Sequence, residues 1–163
     1  MPSYAELLVP EFDREAALTQ QVLARVPESG LAWTPHPRAV SLGRLATHVA
    51  GLPRWIAAIF AGTELDVSDL PALYDADVVS AAELVPRFAA HAGAARALLA
   101  SRTDPEYEAR WTLREEGTPL VVMPRVALVR FACANHLVHH RGQLTVYLRL
   151  LDVPLPPLYG SAL

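Results

Sequence analysis

The sequence predicts an all-α protein: a four-helix bundle with long crossover connections, plus a short β-hairpin before the last helix. Three observations carry this expectation. Four segments repeat apolar residues with a near-helical period. Each of the first three opens on a serine placed as an N-cap. Strand-like alternation is confined to one stretch between Asp104 and Pro124. With 163 residues, 52% apolar and 19% charged, the chain can bury a sizeable core as one domain (1–163), and disorder is excluded.

Ser3-x-x-Glu6 is a capping box, in which hydroxyl and carboxylate satisfy free amide groups reciprocally. The helix it opens carries Leu7, Leu8, Phe12, Ala16, Leu18, Val22, Leu23 and Val26 and is expected to stop at Pro27. Pro10 lies inside it and is expected to bend or split its first turns. Ser41 caps the second helix, with Val40 and Leu45 placed as a hydrophobic staple. That helix buries Leu42, Leu45, Val49, Leu52, Ile56 and Ile59 and ends at Ala61-Gly62. Pro53 should kink it and free the carbonyl of Val49. Ser80-x-x-Glu83 opens the third helix, which presents Leu84, Phe88, His91, Ala95 and Leu98 and runs to about Ala100.

Residues Tyr107 to Leu113 then alternate, Glu115-Glu116-Gly117 forms a turn, and Pro119 to Val122 is β-prone, which makes a short hairpin. The last helix, Arg125 to Asp152, is the longest at about 27 residues, ~40 Å. The proline-rich tail VPLPPLYGSAL cannot continue it and is expected to lie extended across the bundle. The second-to-third and third-to-fourth helix connections are each roughly 20 residues, too long for a simple up-down bundle, so a crossover is expected.

Chemistry is concentrated in three histidines. His136 and His140 stand four apart in NHLVHHRGQLTVYLRLL, so both rings can point at one spot. Taking ~100° per residue from His136, the stripe of Val129, Cys133, Leu144, Tyr147 and Leu151 clusters near +50°. His140 falls at about +40°, within that face, and His139 at about −60°, off it. His48 lies on the apolar stripe of helix 2, between Leu45 and Leu52. A lone histidine on an apolar face is more often a hydrogen-bonded core residue than a ligand. Three buried together would each be costly without partners, whereas one metal ion satisfies all three nitrogens and leaves a position open. The expected metal ligands are therefore His48, His136 and His140. The expected cofactor is a divalent ion, zinc or nickel first, with iron or manganese open, because three nitrogens do not rank them.

Other candidates carry weaker expectations. His91, on the third helix, is a core or rim residue before it is a fourth ligand or proton carrier, and His36 sits in an exposed loop. Cys133, one turn before His136, is expected to be a buried small hydrophobe. Arg141 and Gln143 are placed to orient the rings or clamp an anion. Trp33, Trp55 and Tyr147 are the aromatics best placed to line a pocket.

Composition excludes several roles. All fourteen basic residues are arginine, scattered, and the net charge is −3, so there is no electrostatic footprint for nucleic acid. No apolar stretch approaches the roughly 18 residues of a membrane span, and MPSYAELLVPEFDRE lacks the basic start and apolar block of a signal peptide. The single cysteine excludes an internal disulfide and fits a reducing compartment. The expected location is cytoplasmic. Phe131, Val138, Val146 and Leu150 lie off the inward stripe of the last helix and mark a dimer surface.

The run His136-Leu-Val-His-His140-Arg-Gly-Gln143, followed by Tyr147-Leu-Arg149 and the tail Pro-Pro-Leu-Tyr159-Gly160, resembles the DinB-like superfamily of small four-helix metalloproteins. Ser41-Leu-Gly-Arg-Leu-Ala-Thr-His48 matches the usual context of that family's helix-2 histidine, and the resemblance covers almost the whole chain. It implies up-down-down-up connectivity, a divalent metal held by His48, His136 and His140, and commonly a homodimer. Some members resemble thiol-dependent S-transferases or isomerases that use mycothiol, bacillithiol or glutathione. The implied function is a metal-dependent enzyme of thiol S-transferase or hydrolase type acting on a small molecule, possible partners including a low-molecular-weight thiol. The alternative is a non-catalytic metal- or small-ligand-binding stress-response module.

Overall fold

The structure, a computed structural model, describes residues 1–160. Both halves of the first capping box form. The Ser3 hydroxyl accepts from the Glu6 amide at 3.2 Å, and the Glu6 carboxylate accepts from the Ser3 amide at 2.7 Å. Helix α1 (Tyr4–Leu23) then runs unbroken through Pro10. The carbonyl that proline leaves unpaired belongs to Glu6, and both residues are exposed, so water can satisfy it. The helix ends at Leu23, short of Pro27. The chain tightens there, Arg25 donating to Val22 and Val26 to Leu23 across three residues.

Ser41 caps α2 (Leu42–Gly51), and Pro53 ends that helix and starts α3 (Arg54–Ala61), so the expected kink is a break between two elements. The next connection carries a strand too short to be seen in the sequence, β1 (Glu64–Asp66), and a 3-10 segment, Val67–Leu73. The Ser80–Glu83 box caps a single 3-10 turn, Ala81–Glu83, that leads into α4 (Leu84–Ser101). Its core face is Leu84, Phe88, Ala95 and Leu99; Leu98, expected inside, is only partly buried.

A short helix, α5 (Asp104–Glu108), stands where alternation from Tyr107 predicted strand. Thr103-x-x-Glu106 is a third capping box, the Thr103 amide and hydroxyl both donating to Glu106 at 2.8 and 2.9 Å. The hairpin itself forms as β2 (Arg110–Glu115) and β3 (Thr118–Pro124), antiparallel, with β1 added parallel to β2 at the register Leu65–Leu113. Glu116 and Gly117 make the turn with φ of 48° and 81°, the left-handed pair that a two-residue hairpin loop requires.

The last helix is continuous but not uniform. It comprises α6 (Arg125–Leu128), a π-helical segment over Val129–Asn135, and α7 (His136–Leu150). Helix α1 packs on α4 and α7, and α2 packs on the same two from the opposite side. The four-helix arrangement thus stands, with a small three-stranded sheet at its edge. No helix among the described residues is long and apolar enough to cross a membrane.

One polar cluster crosses the core. Arg141 is 1% exposed and donates to the Glu15 carboxylate at 2.6 Å, the Glu15 carbonyl at 3.0 Å and Thr19 Oγ1 at 3.2 Å. Tyr159, from the tail, donates to Glu15 at 2.6 Å and contacts Arg141. The cluster locks α7 to α1 and holds the tail over both. The partners lower the Glu15 carboxyl below its ordinary value against the opposing effect of burial. Removing one member of a buried pair strands the other charge. Arg141→Ala should therefore cost about 3–5 kcal/mol of unfolding free energy in chemical denaturation, and Tyr159→Phe about 1 kcal/mol.

Candidate metal centre

Helices α2 and α7 cross with their histidines facing. His48 Nε2 and His136 Nε2 are 3.4 Å apart. The His140 ring centroid is 4.6 Å from each of the other two, and one nitrogen from each ring lies within 4.8 Å of the others. Ligands ~2.05 Å from a tetrahedral ion stand about 3.3 Å apart, so the His48–His136 spacing is that of two nitrogens on one cation.

One ring has its tautomer set by a side chain. His140 Nδ1 donates to Gln143 Oε1 at 2.6 Å, one turn further along the helix, leaving Nε2 bare. The His136 Nε2 faces His48 Nε2. Three imidazole nitrogens therefore converge, an arrangement that a cation between them would satisfy at once. Burial is the main influence on all three. It lowers His48 from the usual 6.5 to about 4, helped by the charges of His140, His136 and Arg44, and it lowers His136 and His140 as well. At neutral pH the rings are uncharged, the form a metal binds.

The position of the pair relative to the core differs from the helical arithmetic. The buried face of α7 is Leu137, Arg141, Leu144, Thr145 and Leu148, with His136, His140 and Tyr147 on its border. The wider turn of the π segment rotates Val129 and Cys133 relative to a straight α-helix, so their stripe does not extrapolate onto α7. The border position opens the His140 ring, with His48, to a cleft of about 620 Å³ lined by Val40, Arg44, Tyr74, Gln143, Val146 and Tyr147 among others.

The remaining candidates are now placed. Gln143 orients a ring, whereas Arg141 points away from the histidines into the Glu15 cluster. Cys133 is fully buried, and burial pushes its thiol up to about 12, which makes it inert. His139 and His36 are exposed. His91 is not part of the three-ring group and faces Asp75 at 3.7 Å. Of the aromatics, Tyr147 lines the cleft and stacks edge-on to Trp33 at 5.9 Å, and Trp55 lines a smaller recess beside His48. Tyr74, 5.8 Å from His48 between ring centroids, was not foreseen; it lies in the long connection, where no periodicity marks it.

The sequence profile of the DinB family matches residues 1–163. The chain belongs to the DinB family. Solved structures agree with the fold of this DinB family protein. A DinB-like protein from Bacillus cereus is 25% identical with a TM-score of 0.69, over 90% of this chain and 92% of that one. A DinB-like protein from Bacillus subtilis is 18% identical with a TM-score of 0.73, over 96% and 99%. One described as a DinB family member from Exiguobacterium sibiricum is 21% identical with a TM-score of 0.70, over 100% and 97%. No curated protein matches the chain significantly.

Two outcomes follow for this DinB family protein. Gln143→Leu should weaken divalent-metal affinity by roughly 10–100-fold in competition with a chromogenic chelator, because it frees the His140 ring without removing a ligand. Lowered histidine pKa values mean that the metal-free fold binds fewer protons than the unfolded chain. The stability this confers is intact above about 6.5 and is lost as pH falls toward about 4. The melting temperature of chelator-treated protein should drop over that window, and His48→Gln should flatten the drop.

Proposed function

We propose that this protein is a divalent-metal-dependent enzyme of thiol S-transferase or hydrolase type acting on a small molecule. His48, His136 and His140 are the ligands, and zinc or nickel is the metal, ahead of iron or manganese. The observation that carries the reading is the convergence of three uncharged imidazole nitrogens, with two of the rings, His48 and His140, lining a solvent-open cleft. A closed structural site would have a fourth protein ligand, whereas three protein ligands and an open position are the catalytic pattern. A divalent ion there supplies Lewis acidity and brings the pKa of a water or thiol at its open position toward neutrality.

The protein's own residues bind and orient. Gln143 fixes the His140 ring, and Tyr74 covers His48. Tyr147 donates to the Val40 carbonyl at 3.2 Å and forms an apolar wall for the substrate. The cleft is small-molecule sized. A homodimer is part of the proposal. Phe131, Val138, Val146 and Leu150 are exposed along the last helix, and Val146 also lines the cleft, so a second copy docked there would narrow its mouth.

One observation favours a non-catalytic metal- or ligand-binding module instead: the lining of the large cleft contains no carboxylate. The two readings separate by turnover. Protein purified without a histidine tag should carry about one divalent ion per chain, and His136→Ala should lose it. A panel of low-molecular-weight thiols with electrophiles should be turned over, the rate vanishing on chelation and returning with metal. Stoichiometric metal without turnover supports the module, and no metal at all contradicts the enzyme and leaves only the ligand-binding form of the module.

A further inference from the structure

Beside the large cleft, His48 also borders a narrow recess of about 20 Å³, walled by Thr47, Gly51, Trp55, Tyr74 and Asp75. That volume holds one water-sized group. Asp75 is anchored by one oxygen only. Oδ1 accepts from Arg54 at 2.6 Å, while Oδ2 is shut off from solvent and has no hydrogen-bond partner. Its nearest charged neighbour other than Arg54 is His91, at 3.7 Å, too far for a hydrogen bond, and burial lowers the His91 pKa and favours its uncharged form.

The geometry puts this bare oxygen one helical turn from a histidine of the cluster. A Cβ built on Gly51 would lie 3.1 Å from Asp75 Oδ2, so the carboxylate rests against position 51 of α2. Positions 48 and 51, three apart, share a helix face. Glycine at 51 is what permits the approach. The loop bearing Asp75 is also strapped down: Arg54 donates to the Ala72 carbonyl at 3.2 Å, Arg87 to Ala76 at 2.7 Å, Arg44 to Asp77 at 2.9 Å, and Val78 to Thr47 Oγ1 at 3.1 Å. A buried acceptor held this firmly and left unpaired is costly unless something donates to it.

We propose that Asp75 is a specificity-determining residue: its free oxygen accepts a hydrogen bond from an ammonium or hydroxyl group carried by the molecule that binds at the histidine cluster. Oδ2 is closed to a water-sized group as it stands, so the donor enters the recess as the carboxylate turns toward it, while a second atom of the same molecule would sit at the metal's open position. The molecule is therefore a small nucleophile or thiol with a hydrogen-bond donor a short spacer from its metal-binding atom. An apolar or anionic group at that place is rejected, because it leaves the carboxylate unpaired or faces it with like charge. This deepens the metal-dependent reading and rests on it.

The test uses the whole chain loaded with cobalt(II), whose thiolate charge-transfer absorption reports thiol binding without turnover. Cysteamine, 2-mercaptoethanol and propane-1-thiol have the same length and differ in the terminal group, and mercaptoacetate carries a carboxylate. Cysteamine should bind at least about tenfold more tightly than propane-1-thiol, the gain expected of a hydrogen bond to a charged group. Mercaptoacetate should bind worst. The comparison between cysteamine and 2-mercaptoethanol shows whether ammonium or hydroxyl is preferred. Asp75→Asn, which keeps an oxygen for Arg54 and turns a donor into the recess, should take up cobalt normally and lose the preference. Gly51→Ala, which pushes Oδ2 aside, should weaken it. Equal affinities in the wild type, as when a resident water alone satisfies Asp75, overturn the proposal, as does a preference that survives Asp75→Asn. Failure to bind cobalt overturns the metal reading and this proposal together, so the two failures are distinct.

Discussion

The crossing of α2 over α7 is the constraint on which the rest of the molecule turns. It brings His48 within 3.4 Å of His136, and the Gln143 side chain behind His140 turns that ring's Nε2 toward the crossing. Protonating these half-buried rings is opposed by burial and by their mutual repulsion. A cation held between them would resolve the conflict in one step. The protein keeps a polar cluster at a helix contact where leucines would pack at no such cost.

The segment His136 to Gln143 divides its work by helical phase. His136 and His140 face the crossing and Gln143 backs them, while Arg141 points the other way and grips Glu15, Thr19 and Tyr159. One side of a helix turn therefore sets the ring positions, and the other fixes that turn to α1 and the tail. The π segment just upstream carries Ala132, whose carbonyl raises the His136 pKa against the effect of burial. Arginine repeats this fixing role on the long connection, where Arg44, Arg54 and Arg87 each tether residues between Ala72 and Asp77. The absence of lysine is consistent with this use, since a planar guanidinium binds two acceptors at once.

Much of this was legible in the sequence because local chemistry and tertiary structure agree. Capping serines at 3, 41 and 80 open helical segments, Pro53 breaks one, and Glu116-Gly117 turns the hairpin. The histidine trio was readable because i, i+4 spacing forces two rings together and His48 shares an apolar stripe. Where local and tertiary signals diverged, the reading failed. Alternation around Tyr107 concealed the Thr103–Glu106 box, β1 is too short for any period, and Arg141 looked like a partner of the histidines until Glu15 placed it in the core. Tyr74 and Asp75 act from a connection whose path is set by distant arginines, which no local pattern encodes.

X-ray absorption at the metal edge of untreated, untagged protein tests the central claim most directly, since it identifies the element and its neighbours together. The account predicts one transition-metal ion with three imidazole nitrogens at about 2.0–2.1 Å and a lighter exchangeable neighbour. A protein without bound metal, or a metal whose imidazole shell persists in the His48→Ala, His136→Ala, His140→Ala triple variant, would contradict it.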